Sequence, residues 1–411
     1  MAGPLEGVRI LDMTAVGYGP YACQILGDYG AEVIKVESAE GDITRGIAPF
    51  RNEGMGPFFL MANRNKRCIV LDLKSDKGRR AVLKLVENVD AVITSIRPAA
   101  LERLGLGYED CRAVNERVVY VALVGFGQSG PYAKRPAYDD IIQGVSGLAD
   151  MQGGRSGPPQ VVNASVCDKI CSQVAAHATI AALFSQQKTG TGQMVEVPMY
   201  ESMVGFNLVE HNAGKTYDPP IGPAGYERSF VEYRRPYATA DGYVCALPYN
   251  TKQWRAFFEM MDRPAVMDDP RVMDPKTRSE KIGELYEMVA ELVAGWKTAD
   301  LLAALEAADI PNGEARRLED LRDDAHLSEV GFFQIHDHPT EGLINLTAPP
   351  VKFSETPADI RRLPANLGEH SVEVLQEAGY SEGDISDLLA EGVSMDGRPD
   401  LPQPVQGVGD D

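Results

Sequence analysis

Short, almost wholly apolar runs alternate with amphipathic stretches over the first half of the chain. Residues 8–14 predict a buried strand, and residues 18–29 a helix with Pro20 in its first turn and Gly30 as its stop. A second strand is expected over 31–37, completing a βαβ unit of the length that a parallel sheet needs. The pattern continues with strand 68–73, helix 77–87, and strands 91–95 and 118–124. An alanine-rich helix from Lys169 to about Phe184 then leads through the turn 188–193 to a strand over 194–198 and a helix over 201–212. Such alternation predicts an α/β fold, a mostly parallel sheet with helices on both faces.

The second half is patterned differently. Residues 213–225 are rich in Gly and Pro and read as a linker. Residues 237–247 predict a hairpin around Asp241-Gly242, and helices over 252–261 and 280–305, interrupted near Trp296, complete a smaller α+β domain. Residues 366–392 return to helix, and 394–411, with few large apolar side chains, are expected to be disordered.

Charge narrows the class of partner. The 60 acidic and 40 basic residues of this 411-residue chain leave a formal net charge of −20. That surface repels nucleic acid and anionic membranes, yet permits an anionic ligand in a locally basic cleft. No apolar run approaches the roughly 20 residues needed to span a bilayer. The N-terminus lacks the basic and apolar regions of a signal peptide, and the six scattered cysteines, none in a CxxC pair, read as reduced core or near-core thiols. A cytoplasmic protein is expected.

Three features carry candidate chemistry. Asp168 falls in the first turn of the predicted alanine-rich helix, where free N–H groups and the helix dipole favour a carboxylate. It reads either as an N-terminal cap or as a nucleophile for an activated acyl carbon. Gly17-Tyr-Gly-Pro-Tyr-Ala22 fits a GxGxxA turn between strand and helix, with Glu37 ending the next strand, as in nicotinamide-dependent dehydrogenases. Against that, Pro20 removes one N–H from the loop that would cradle a pyrophosphate. Residues 63–67 pack three cations into five positions: a solvated basic turn, or an anchor for phosphates. His336-Asp-His338 hints at a metal but has no third ligand in view, and no serine elbow, Walker loop or HExxH motif is present. No metal is expected.

Several segments together resemble the class III CoA-transferase family, which includes formyl-CoA transferase, carnitine CoA-transferases and α-methylacyl-CoA racemase. They are Leu-Glu-Gly-Val-Arg-Ile-Leu-Asp at 5–12, Gly-Ala-Glu-Val-Ile-Lys-Val-Glu at 30–37, Gly-Asp-Ile-Thr-Arg at 41–45 and Asn-Arg-Asn-Lys-Arg-Cys-Ile-Val-Leu-Asp-Leu-Lys at 63–74. Arg-Leu-Gly-Leu-Gly-Tyr at 103–108, Gly-Phe-Gly-Gln-Ser-Gly-Pro-Tyr at 125–132, Asp-Ile-Pro-Asn-Gly at 309–313 and Leu-Gly-Glu-His at 367–370 extend the likeness. The resemblance implies a Rossmann-like larger domain built from 1–212 and 330–411, a linker at 213–225 and a smaller domain at 226–329. It further implies an interlocked homodimer, with coenzyme A and acyl-CoA as substrates and no permanently bound cofactor.

The resemblance also assigns residues. Asp168 matches the nucleophile, which would carry CoA as an aspartyl thioester between two carboxylic acids. Val16, Gly17, Tyr18, Leu71, Asp72, Leu73, Lys74, Ser95, Ile96 and Arg103 match CoA-contacting positions. Ser38 stands where an arginine is frequent, so a phosphate contact made there must come from elsewhere. Racemase members carry a histidine before the residue that is Asp139 here; this chain has Tyr138, a poor base, and Tyr138 is expected to contact CoA or the acyl group instead. Arg234 or Arg235 would hold the second carboxylate of a dicarboxylate substrate such as a succinate-type acid, or form a surface basic pair. A racemase and a nicotinamide-dependent dehydrogenase are the alternatives.

Overall fold

A computed structural model describes residues 3–399. The described chain forms two compact units. The larger comprises 3–149, 160–206 and 326–399, and the smaller comprises 150–159 and 207–325.

The larger unit is built on six parallel strands: β1 (Arg9–Met13), β2 (Glu32–Glu37), β3 (Lys66–Val70), β4 (Ala91–Thr94), β5 (Val119–Val124) and β6 (Gln193–Pro198). Their spatial order is β3-β2-β1-β4-β5-β6. Strand order therefore reverses between β1 and β4, and in open sheets of this kind ligands bind beyond the C-terminal strand ends at such a reversal. Period-two alternation sends Ile10, Val33 and Val121 to one core and Leu11, Ile34 and Tyr120 to the other. Because both faces are covered, most strands read as continuous apolar runs.

The first core is closed by α1 (Tyr18–Asp28) and the 24-residue α4 (Val166–Thr189), and the second by α2 (Asp76–Val86) with the C-terminal helices Ser371–Glu377 and Glu382–Ala390. Between them in sequence, α3 (Asp139–Val145) follows β5. Gly190 ends α4 in the left-handed conformation at φ 76°, which a glycine adopts without a Cβ penalty.

Strand β3 lies two to three residues earlier than its hydrophobicity suggests, because the charged Lys66 and Arg67 are themselves buried strand residues. An antiparallel hairpin, Phe333–His338 with Gly342–Thr347, was not expected at all. Its strands mix His, Gln, Asp and Asn with apolar residues, which masks the period of two.

Part of the 394–411 stretch is ordered. Ser394 donates its hydroxyl to the Val70 carbonyl at 2.8 Å, and the Gly397 N–H reaches the Gly368 carbonyl at 3.1 Å. These contacts tie residues 394–399 to the larger unit despite their composition; the rest of that stretch lies outside the described residues.

In the smaller unit the hairpin Tyr237–Ala238 and Tyr243–Ala246 turns at Asp241-Gly242 and is joined by Asn312–Glu314. Helices Thr251–Met260, Ile282–Val293 and Thr298–Ala307 pack Trp254, Phe257, Phe258 and Tyr286 into its core. Cys245 points to solvent on the hairpin, correcting the expectation that all six cysteines are core or near-core; the other five are buried, and all six are free thiols.

Candidate active site

Asp168 is the third residue of α4, and its backbone N–H is one that the helix itself leaves without a partner. Ser165, at the cap position, supplies no side-chain bond. The partner is Asp139, at the start of α3, whose Oδ1 accepts the Asp168 N–H at 2.8 Å. Gln143, buried one turn further along α3, donates Nε2 to Asp139 Oδ2 at 2.6 Å and accepts the Val162 N–H at 2.7 Å. One glutamine thus fixes both the capping carboxylate and the chain entering α4.

The Asp168 carboxylate is half-buried, and its titration is displaced accordingly. Burial, then the negative charges of Asp139 and Asp140, push it up to about 6, with Lys169 opposing. A carboxylate so placed remains ionised at neutral pH but is a stronger base than a solvated one, the property wanted in an acyl acceptor.

Across from it lies the β1–α1 turn. A Cβ on Gly17 would sit 2.5 Å from Asp168 Oδ2 and 3.2 Å from Phe58, so only glycine lets the backbone approach the carboxylate. Gly19 is required for another reason: a Cβ there would collide with the Thr14 side chain at 2.3 Å. Both glycines of the GxGxxA pattern are therefore explained by packing within the protein, without a dinucleotide. Val16 sits at φ 70°, a conformation costing a β-branched residue on the order of 1–3 kcal/mol.

The loops after β1, β3 and β4 share the C-terminal edge of the sheet. Ser95, after β4, accepts the Ala15 N–H at 3.2 Å, joining the two loops that flank the reversal. Lys74 and Arg103 are exposed and form no ion pair among the described residues, and Arg97, which sequence reasoning did not single out, behaves likewise. Ile96 and Leu73 are half-buried beside them.

Other expected positions are less available. Leu71 is wholly buried in the core, and Asp72 accepts the Lys74 N–H at 2.9 Å while its own N–H bonds Val393. The Tyr18 phenol is buried and donates to the Val197 carbonyl at 2.9 Å. The side chains of Leu71 and Tyr18 are thus withheld from a ligand, whereas Asp72 is half-buried. Tyr138 is 70% exposed at the cap of α3. Arg234 and Arg235 are exposed in the smaller unit, Arg235 lying over the Tyr233 ring at 5.3 Å.

The basic turn at 63–67 is neither a solvated turn nor a phosphate anchor. Arg64 pairs with Asp28 at 2.7 Å, Lys66 with Asp12 at 2.9 Å, and Arg67 with Glu32, Glu373 and Glu377. All three cations are buried and committed to carboxylates of this chain.

The metal reading also fails. His338 is buried, with Nε2 on the Pro364 carbonyl at 2.7 Å and Nδ1 receiving the Thr340 and Glu341 N–H groups. Among the described residues no cluster of His, Cys, Asp and Glu is placed to hold a metal ion, and no helix is long and apolar enough to cross a membrane.

The sheet is Rossmann-like, and the half-buried Asp168 carboxylate lies beside its β1–α1 turn at the reversal of strand order. Comparison with known proteins specifies the class. Residues 5–371 match the model of CoA-transferase family III. The chain is 32% identical over 399 residues to the succinyl-CoA:glutarate CoA-transferase of Mus musculus, spanning 95% of this chain and 90% of that protein. It is 30% identical over 413 residues to the formyl-CoA:oxalate CoA-transferase of Streptomyces avermitilis, spanning 96% and 100%. The crystal structure of a CAIB/BAIF family protein from Brucella suis superposes with a TM-score of 0.79 at 28% identity, covering 92% of this chain and 100% of that one. The protein belongs to CoA-transferase family III and is an enzyme of that class.

Proposed function

We propose that this enzyme moves CoA from an acyl-CoA to an acceptor carboxylate through a covalent intermediate on Asp168. The observation that carries the reading is the Asp168 carboxylate itself, raised to about 6 by burial and by Asp139, and in van der Waals reach of Gly17 at the reversal of the sheet.

An Asp168 oxygen adds to the thioester carbon and CoA thiolate leaves, giving a mixed anhydride. The thiolate attacks the aspartyl carbonyl, releasing the donor as a free carboxylate and leaving aspartyl-CoA. The acceptor carboxylate attacks that thioester, expelling thiolate and forming a second anhydride. Thiolate then takes the acceptor acyl group and Asp168 returns as a carboxylate. Each step exchanges one activated acyl bond for another, so the thioester energy is conserved and neither ATP nor a metal is consumed.

Backbone groups of Val16, Gly17, Tyr18, Leu71 and Asp72, with Leu73, Ser95 and Ile96, line the CoA path, and Lys74 and Arg103 meet its phosphates. Tyr138 contacts the pantetheine or acyl portion. The acceptor is a small dicarboxylic acid, as the names of the glutarate and oxalate relatives suggest, and Arg234 or Arg235 binds its second carboxylate. The enzyme acts in the cytoplasm as a homodimer. Ile335 and Leu343, 69% and 66% exposed on one face of the late hairpin, are consistent with a covered surface there.

Intact-protein mass spectrometry after brief incubation with succinyl-CoA and a panel of other acyl-CoAs tests the mechanism. A mass gain of CoA or acyl that maps to Asp168 and is missing in Asp168→Ala is the expected result. No adduct with any donor, together with solvent deuterium entering the α-carbon of a branched acyl-CoA, would transfer the assignment to a racemase.

A further inference from the structure

Beneath the β1–α1 turn lie two copies of one device. In Asp12-Met-Thr14, Asp12 Oδ1 accepts the Thr14 N–H at 3.0 Å, and in Asp42-Ile-Thr44, Asp42 Oδ1 accepts the Thr44 N–H at 3.0 Å. Each aspartate is paired with a wholly buried lysine, Lys66 of β3 on Asp12 at 2.9 Å and Lys35 of β2 on Asp42 at 3.0 Å.

The two pairs differ in where they lead. Lys66 also binds the Pro20 carbonyl and Asn63, both structural elements. The Lys35–Asp42 pair ends on the turn itself. Lys35 Nζ donates to the Thr14 carbonyl at 2.8 Å, and Asp42 Oδ1 accepts the Val16 N–H at 3.2 Å. These bonds fall on the two consecutive peptide groups that lead into Val16, the one residue of the turn in a left-handed conformation and the one immediately before the glycine that abuts Asp168. A valine does not hold φ 70° unless its surroundings impose it. Nothing in a CoA-handling site otherwise requires two opposite charges to be buried there, and a buried pair is a poor source of stability in itself.

We infer that Asp42, braced by Lys35, is a positioning residue: its acceptor oxygen holds the Val16 amide so that Gly17 stays against the Asp168 carboxylate. The proposal rests on Asp168 being the reacting group. It predicts that the oxygen matters to the turn and the charge does not.

Three variants of the full chain separate these roles. Lys35→Met with Asp42→Asn removes both charges and keeps the acceptor. Lys35→Met with Asp42→Ala removes both charges and the acceptor. Adding Val16→Gly to the latter lets the turn adopt its left-handed conformation without strain. Melting temperature, kcat and KM for acyl-CoA are measured, with hydrogen exchange of residues 14–19 in the free enzyme. The asparagine variant should keep kcat within threefold. The alanine variant should lose at least twentyfold in kcat, with faster exchange at 14–19 and KM changed less than threefold. Glycine at 16 should restore at least fivefold.

Equal kcat in the asparagine and alanine variants would overturn the inference, as would losses that follow melting temperature and are not restored by glycine. Hydrogen exchange needs no acyl-CoA. A wild-type enzyme that fails to transfer would therefore sink the role of Asp168 while leaving the exchange ranking to decide the role of Asp42.

Discussion

Asp139 Oδ1 receives the backbone N–H of Asp168 at 2.8 Å, so the helix bearing one carboxylate starts on another. The arrangement does two things at once. It satisfies a helix donor, and it sets a negative charge beside the Asp168 side chain, second only to burial among the causes of its raised pKa. Asp139→Asn separates the two effects, because an amide oxygen still accepts the N–H while the charge is gone. The acid limb of the pH profile for Asp168 acylation should move to lower pH while the Asp168 N–H keeps its acceptor, at a modest cost in stability because the new Nδ2 faces the Gln143 Nε2 donor. Asp139→Ala should also cost about 1 kcal/mol, the usual loss of a helix cap. An acid limb unmoved in the asparagine variant would mean that Asp139 acts only as a cap.

The raised pKa fixes a stability effect with a definite sign. Because the folded state holds Asp168 up to about 6 against an ordinary 3.8, ionising it is harder in the folded chain than in the unfolded one. Its charge therefore weakens the fold fully above about pH 6, and the penalty fades as pH falls toward 4. Asp168→Asn should abolish transfer yet raise the melting temperature at pH 7, by an amount equivalent to at most about 3 kcal/mol. The gain should shrink steadily between pH 6 and pH 4. Thermal melts across that range check it, and a gain independent of pH would refute the titration.

Much of this was readable from the chain, and the unread part has a common cause. Five of the six strands, all but β6, are buried on both faces, so their largely apolar runs need no partner to be recognised. The place of Asp168 in the first turn of an alanine-rich helix was legible locally, and its proposed role came from the family pattern. Its cap was not, since Asp139 lies 29 residues earlier and only the fold brings the two together. The basic turn was misread for the same reason. Sequence shows Arg64, Lys66 and Arg67 as adjacent cations, but not that Asp28, Asp12 and Glu377 arrive from three other elements to neutralise them. The GxGxxA pattern was read correctly as a turn between strand and helix. What each glycine avoids, Asp168 at Gly17 and Thr14 at Gly19, is a tertiary fact.

Gly17→Ala tests the close approach directly. Its φ of −107° is open to any residue, so the substitution strains no backbone; the obstacle is the Cβ, 2.5 Å from Asp168 Oδ2. Either the carboxylate or the turn must retreat by roughly an ångström, and a displacement of that size at a reacting centre lowers rates about a hundredfold. The variant should fold and melt near the wild-type temperature while aspartyl adduct formation slows by that order. Adduct formation at the wild-type rate would show that Asp168 reacts from a different position.

Exposure decides which cations are free to meet a ligand, and it separates two sets of arginine and lysine that composition treats alike. Arg67 is buried, with Glu32, Glu373 and Glu377 around it; removing it leaves three carboxylates facing one another. Arg67→Ala should therefore destabilise the chain by about 1–3 kcal/mol and leave the affinity for CoA unchanged. Lys74 and Arg103 are exposed, with no ion pair among the described residues, so Lys74→Ala with Arg103→Ala should leave the melting temperature nearly unchanged. The same pair should weaken CoA binding about tenfold at low salt, and less as salt screens the phosphates. Calorimetric titration of CoA at two ionic strengths, beside thermal melts, reads both quantities. Should Arg67→Ala lose CoA affinity with its stability intact, the basic turn would return as a phosphate site and the assignment of Lys74 and Arg103 would fall.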